Sequence, residues 1–315
     1  MKKILFARNN NALAGVIEAL LLVALVAIVL STIQLYYIPE IMKQKEADHM
    51  DTVENQFAQL KSVIESQGMM GSLQPDDPIS HTIMSSPVTL GHDRLPYFIS
   101  SWALGHVNIN DKDTELDSKI VLPNGDLPAK YRPRGGIPLT SIQYHAQNAY
   151  FIDQNFILEG GGIILEQSNG EAMKVSPPIY VKNYTDVPVG GYDGYLELYY
   201  TIPIINSKTG KRISETGIDT TYVLTNYSET ISNSEDGVTY IQIYSDYLEA
   251  WNQSLKNDNK GILWEYCTDN EYITVEYDDD DNPTYIEIKP EAPYRLDIKF
   301  TLVEMYAQIG PGFII

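Results

Sequence analysis

An α+β protein is what this chain predicts: a long N-terminal helix, transmembrane and then amphipathic, followed by a mainly antiparallel β-sandwich or β-roll. Three observations lead there. Residues 19–30 form an unbroken apolar stretch that continues with little polarity to Ile38. Met50, Val53, Phe57, Leu60 and Ile64 then recur at intervals of 3, 4, 3 and 4, the stripe of a helix with one packed face. From Ile137 onward short runs alternate apolar and polar residues between turn signals, and the 23 tyrosines suit a pleated, half-wet surface.

Residues 1–15 are a basic head carrying Lys2, Lys3 and Arg8. Residues 16–38 come next. As a helix they extend roughly 34 Å at about 1.5 Å per residue, enough for a bilayer core of about 30 Å. A helix satisfies its own backbone polar groups in lipid, and Glu18 is the one charge inside the segment. Cations before the span and mixed charges after it (Glu40, Lys43, Lys45, Glu46, Asp48) predict a cytoplasmic N-terminus with the rest of the chain outside the cell. A cleaved secretory signal is the rival reading, but its apolar region is about 7–15 residues and ends at a small-x-small site. Here the run is longer and closes on Tyr36-Tyr37, aromatics suited to the membrane interface. A retained single-pass anchor, with membrane lipid as its first partner, is the expectation.

The helix is expected to continue over residues 39–67, bent at Pro39 and stopped at Ser66-Gln67-Gly68 with Gly68 just past its end. Its stripe can pack on the following β domain or against the same helix in other subunits. Two heptads are short for a coiled coil, which favours the domain.

Residues 71–315 make the β-rich exterior, as one domain or two subdomains. Pro75-Asp76-Asp77-Pro78, Pro123-Asn124-Gly125-Asp126 and Arg134-Gly135-Gly136 read as turns. Asn169-Gly170 offers a type I′ turn between strands at 162–166 and 171–175. Residues 272–277 and 284–289 form a hairpin, and Leu296, Ile298, Phe300 and Leu302 line one face of a late strand. Ser245 caps a helix whose Leu248, Trp251 and Leu255 share a face. No helix alternates regularly with strands, so a parallel α/β sheet is not expected.

The chain holds 42 acidic and 22 basic residues, a net charge of −20. That balance argues against nucleic acid as a partner, since nucleic acid calls for clustered Lys and Arg. Cys267 is the single cysteine, so neither an internal disulfide nor a cysteine metal cluster is available. The histidines His49, His81, His92, His106 and His145 have no ligand spacing, and no metal or other cofactor is expected. Asp278, Asp279, Asp280 and Asp281 are a weak calcium candidate against the simpler reading of a solvated hairpin tip. Asp111, Asp113, Glu115 and Asp117 have alternate spacing but lack the central Gly and terminal Glu of a calcium loop. Asn183, Asn226 and Asn252 head Asn-x-Ser/Thr sequons in the predicted exterior and are candidate N-glycosylation acceptors. With no nucleophile elbow, phosphate loop or dinucleotide fingerprint, the chain does not read as an enzyme.

Glu18 needs its own account, because a carboxylate in the apolar end of a membrane helix either sits at the headgroup boundary or marks function. Asn11-Ala12-Leu13-Ala14-Gly15-Val16-Ile17-Glu18, leading into a Leu/Val/Ala/Ile helix, resembles the start of a type IV prepilin. The resemblance implies that a membrane-embedded prepilin peptidase removes the basic leader around Ala12, Leu13 or Ala14. It also implies that Glu18 pairs with the terminal amine of a neighbouring subunit during assembly. Cleavage after Leu13 makes Glu18 the fifth mature residue, and after Ala12 the sixth. The Gly usual before the cut is missing here. Further segments are similar to a poorly characterised archaeal family with pilin-like N-termini. They are Ser86-Pro87-Val88-Thr89-Leu90-Gly91 with Leu95-Pro96-Tyr97-Phe98, and Tyr150-Phe151-Ile152-Asp153-Gln154 with Leu158-Glu159-Gly160-Gly161. Met173-Lys174 before Pro177-Pro178, and Ser245-Asp246-Tyr247 with Ala250-Trp251, extend the similarity.

Two function classes follow. The first is a pilin-like structural subunit of the cell surface, assembling with itself or with other pilin subunits through its helix, or anchored as a minor component. The second is a non-polymerising, membrane-anchored adhesin or binding protein.

Overall fold

The computed structural model describes residues 10–74, 82–91, 103–110, 118–123, 127–207, 212–257, 260–269, 271–277 and 284–310, the side chains of 10–14, 268 and 269 excepted. One long N-terminal helix followed by a mostly antiparallel, multi-sheet β region makes the chain α+β. Helix α1 (Asn10–Thr32) passes through a π-helical turn at Ile33–Tyr37 into α2 (Ile38–Leu73). The widened turn sits where Pro39, in the first turn of α2, has no N–H to give the carbonyl of Leu35.

Along α2 the stripe extends in both directions, and Met42, Glu46, His49, Gln67, Gly68 and Gly71 are buried with it. Met50, Val53, Phe57, Leu60 and Ile64 are each at most 3 % exposed and share a core with Val107, Ile142, Tyr144 and Phe156. The chain's own β region therefore covers the seam. The helix does not stop at Gly68 but runs on to Leu73. A Cβ on Gly68 would lie 2.9 Å from Val303 Cγ1, and one on Gly71 2.3 Å from the Tyr227 ring. These glycines let α2 lie close on two strands, a packing role that outweighs the roughly 1 kcal/mol a helical glycine costs.

The central sheet has the order β1 (Met84–Thr89), β12 (Thr220–Glu235), β16 (Tyr294–Ile309), β10 (Gly194–Ser207), β9 (Ile179–Tyr184). A six-stranded sheet has the order β11 (Ser214–Gly217), β2 (Leu104–Asn110), β5 (Ser141–Gln147), β6 (Gln154–Glu159), β7 (Gly162–Gln167), β8 (Gly170–Val175). The outer sheet has the order β14 (Ile273–Tyr277), β15 (Ile286–Pro290), β13 (Ile241–Tyr244), β3 (Lys119–Val121), β4 (Ile137–Pro138). Of the described ladders, β10 with β16 is parallel, in unbroken register from Gly194 opposite Tyr294 to Ser207 opposite Ala307.

Two cores meet along β16. Leu296, Ile298, Phe300 and Leu302 face the outer sheet and α3 (Leu248–Lys256), as their alternation predicts. Val303, Met305, Ala307 and Ile309 face α2 and the six-stranded sheet. A twisted strand can change which face is covered along its length, and here it joins both cores. The expected boundary between residues 67 and 71 thus separates nothing, because α2 fills one core of the β region.

Two turns differ from expectation. The β7–β8 hairpin turns at Ser168-Asn169, with Gln167 opposite Gly170, and the positive φ of 138° falls on Gly170. The pair with the positive φ values of a type I′ turn is Gly160-Gly161, at 56° and 80° between β6 and β7. β14 and β15 pair as the expected antiparallel hairpin.

Candidate functional site

The feature that asks for a partner is the lower half of the long helix. Among the described residues one helix is long and apolar enough to cross a membrane, and its apolar window has no buried residue. Leu20, Leu21, Leu25 and Ile28 are each about two-thirds exposed, and Leu35 and Tyr36 reach 70 % and 75 %. Glu18 stands exposed on this surface with Leu21 and Leu22 one turn above it. No described side chain pairs with it. Ala12, Leu13 and Ala14 lie in α1, but their side chains are outside the described set.

Where the helix enters the β region, buried polar groups tie the two together. The Glu46 carboxylate, 1 % exposed, accepts the backbone N–H groups of Ala149 (3.1 Å), Tyr150 (2.8 Å) and Phe151 (2.6 Å) in the β5–β6 turn. One turn up, His49 Nε2 lies 3.1 Å from the Tyr144 hydroxyl, which donates to the Leu90 carbonyl (2.7 Å). Burial pushes the Tyr144 phenol well above its usual range, so it stays a donor. Higher still, Lys61 donates to the Gly161 carbonyl (2.6 Å), and Gln67 Nε2 to the carbonyls of Thr82 (2.7 Å) and Thr225 (3.1 Å). These bonds fix the height of the β region on the helix. Sequence reasoning missed Glu46, although the signal was present: it continues the apolar stripe downward as a charge on the packed face.

The β region also has a groove of about 410 Å³ between α2 and the central sheet, lined by Ile64, Gly68, Met69, Pro203, Val303 and Met305. Beyond it, the open face of the central sheet carries two stacked tyrosine pairs. Tyr180–Tyr199 lie 4.5 Å apart and Tyr184–Tyr195 4.8 Å apart. Lys182 sits over Tyr199 and Arg295 over Tyr195, so cations cover one ring of each pair.

The remaining candidates are dispersed. His106 and His145 are cross-strand neighbours with stacked rings, and burial, helped by His106, lowers the pKa of His145 while Glu166 opposes it. Among the described residues no three His, Cys, Asp or Glu side chains converge as a metal site. Asp278, Asp279, Asp280 and Asp281 lie outside the described residues, as does the 111–117 cluster. Cys267 is half-buried and free, its thiol pushed up by burial to about 11. Of the three sequon asparagines, Asn183 is exposed on edge strand β9. Asn226 and Asn252 are half-buried, each with a buried, unpartnered Oδ1.

No family model, no curated protein and no solved structure matches this chain.

Proposed function

We propose that the chain is a type IV pilin-like subunit of the cell surface, anchored and assembled through its N-terminal helix. One observation carries the reading: a single continuous helix is the core of a β head along its upper half and is bare and apolar along its lower half, with one carboxylate, Glu18. An apolar surface of that length needs lipid or other helices around it. In this reading the basic head is cytoplasmic, prepilin peptidase removes it, and the β head stands outside the cell, where Asn183 is the sequon best exposed for a glycan. Neighbouring subunits pack along residues 15–36. A freed terminal amine there would meet a neighbour's Glu18 in low dielectric, where a pair attracts strongly and a lone charge is penalised.

Glu18→Ala tests this. Membrane insertion should be unchanged, since the helix only becomes more apolar, while recovery in sheared filaments or cross-linked oligomers should fall by an order of magnitude or more. Glu18→Gln, uncharged but similar in shape, should be nearly as defective. Assembly of both variants at the parent level would give the lead to a non-polymerising anchored adhesin, a role the tyrosine face and the groove would serve. The N-terminal residue of the mature protein, read by mass spectrometry, reports leader removal independently.

A further inference from the structure

The β5–β6 turn, residues 148–153, is tied down by hydrogen bonds and yet exposes apolar surface. Three of its amides are held by Glu46, and inside it Asp153 accepts the Asn148 N–H (2.6 Å) while Asn148 Nδ2 donates to the Ile152 carbonyl (3.0 Å). So constrained, it presents Tyr150 at 40 % and Ile152 at 39 % exposure, with Phe151 half-buried between them. The head's packing reaches down the helix from this level: Met42 is buried, and Ile38, Pro39 and Ile41 are half-buried, directly above the bare Tyr36 and Tyr37.

The height of the turn can be set against the bilayer. Interfacial tyrosines mark the top of an apolar span, which places the boundary near Tyr37. Glu46 is nine residues further on, about 13 Å along the axis at 1.5 Å per residue. Helical side chains lean back over the preceding turn at Tyr37 as at Glu46, so the ring that marks the boundary and the amides that Glu46 holds keep this separation. Headgroups occupy about 5–8 Å beyond each side of the hydrocarbon core, which leaves about 5–8 Å for a tyrosine side chain on the turn to span.

We propose that the 150–152 turn is a second membrane contact: Tyr150 and Ile152 rest in the headgroup layer of the bilayer that α1 crosses and set the orientation of the head on it. The partner is lipid because the exposed residues continue, at the right height, the apolar surface of the helix itself. An amphipathic tyrosine beside an aliphatic side chain also suits that layer. The inference rests on α1 crossing a bilayer but is independent of whether the protein polymerises.

The test uses the full chain in phosphatidylcholine nanodiscs, with an environment-sensitive fluorophore at one introduced cysteine. Cys267 is half-buried and is the chain's own cysteine, so the parent protein carried through the same labelling gives the blank. Tyr150→Cys reports the turn, Ile28→Cys the span, and Leu73→Cys, 74 % exposed at the upper end of α2, the solvent. Lipids carrying a quencher at the headgroup boundary should quench the label at 150 several-fold more than the label at 73, with a blue-shifted emission. Quenching at 28 with 150 behaving like 73 would overturn the contact and leave the anchor standing. A shift at 150 that follows protein crowding but not lipid quencher would overturn it in favour of a neighbouring subunit. No quenching at 28 would remove the anchor and the contact together.

Discussion

Glu46 is the residue on which the joint between helix and head turns. A carboxylate buried to 1 % exposure is costly unless its lone pairs are used, and three backbone N–H groups use them. Among the described residues those amides have no other acceptor. Glu46→Ala leaves them facing an apolar gap and is expected to cost about 2–5 kcal/mol, as for the loss of one side of a buried charged hydrogen-bond set. Glu46→Gln keeps one carbonyl oxygen and should cost less. Thermal melts of the full chain in nanodiscs give the ranking, and hydrogen exchange at residues 149–151 should accelerate most in the alanine variant. An unchanged melt in both would mean that the turn finds other partners. The sequence marks Glu46 as a charge on the packed face but not its donors, which lie about a hundred residues away.

At the level of elements, α3 illustrates how much local reading can achieve and where it ends. Leu248, Trp251 and Leu255 share the buried face that their spacing predicts. Ser245 is not the cap that its position suggests: it bonds the Tyr247 N–H (3.0 Å), Tyr247 holds the cap position without a side-chain cap bond, and Glu171 on β8 accepts the Ala250 N–H of the first turn (3.0 Å). Burial raises the Glu171 pKa, while the amides of Ala250 and Glu249 pull it back, so the net shift is upward from 4.5. A folded-state pKa above the unfolded value means that the proton is held more tightly in the fold. That stabilisation is full below about pH 4.5 and is lost as pH rises through the raised value. Glu171→Gln keeps an acceptor without the charge. Its stability relative to the parent should be higher above this window and should converge on the parent at lower pH, as read by urea titrations across pH 4–7; the opposite trend would mean that the ionised carboxylate is the better cap. Strand faces were legible in the same way, since alternation states which side of β16 is buried. The pairing of β10 with β16 was not, because parallel partners far apart in sequence leave no turn signal between them. Gly68 misled for a related reason: a glycine that ends a helix and one that lets a helix lie against a strand look alike in sequence.

On the scale of the whole molecule, anchor and head are not two units joined by a linker. The length that is long and apolar enough to cross a membrane is bare, but further along the same helix is the centre of a core, and the 71–315 region that reads as an independent β domain lacks one wall of it. Met50, Val53, Phe57, Leu60 and Ile64 bury about 1.5–3 kcal/mol each, or about 7–15 kcal/mol together. A domain's whole stability is about 5–15 kcal/mol, so losing that wall is decisive. A secreted fragment of residues 71–315 is therefore expected not to fold, binding hydrophobic dye and showing no cooperative melt. A fragment of residues 38–315, which keeps α2 and sheds the bare span, should be soluble and melt in one transition. Reducing agent should leave that transition unmoved, since Cys267 has no internal partner. If the shorter fragment melts as cooperatively and as high as the longer one, α2 is a passenger on a self-sufficient β head, and the height of the head above the membrane would no longer be set by the helix core.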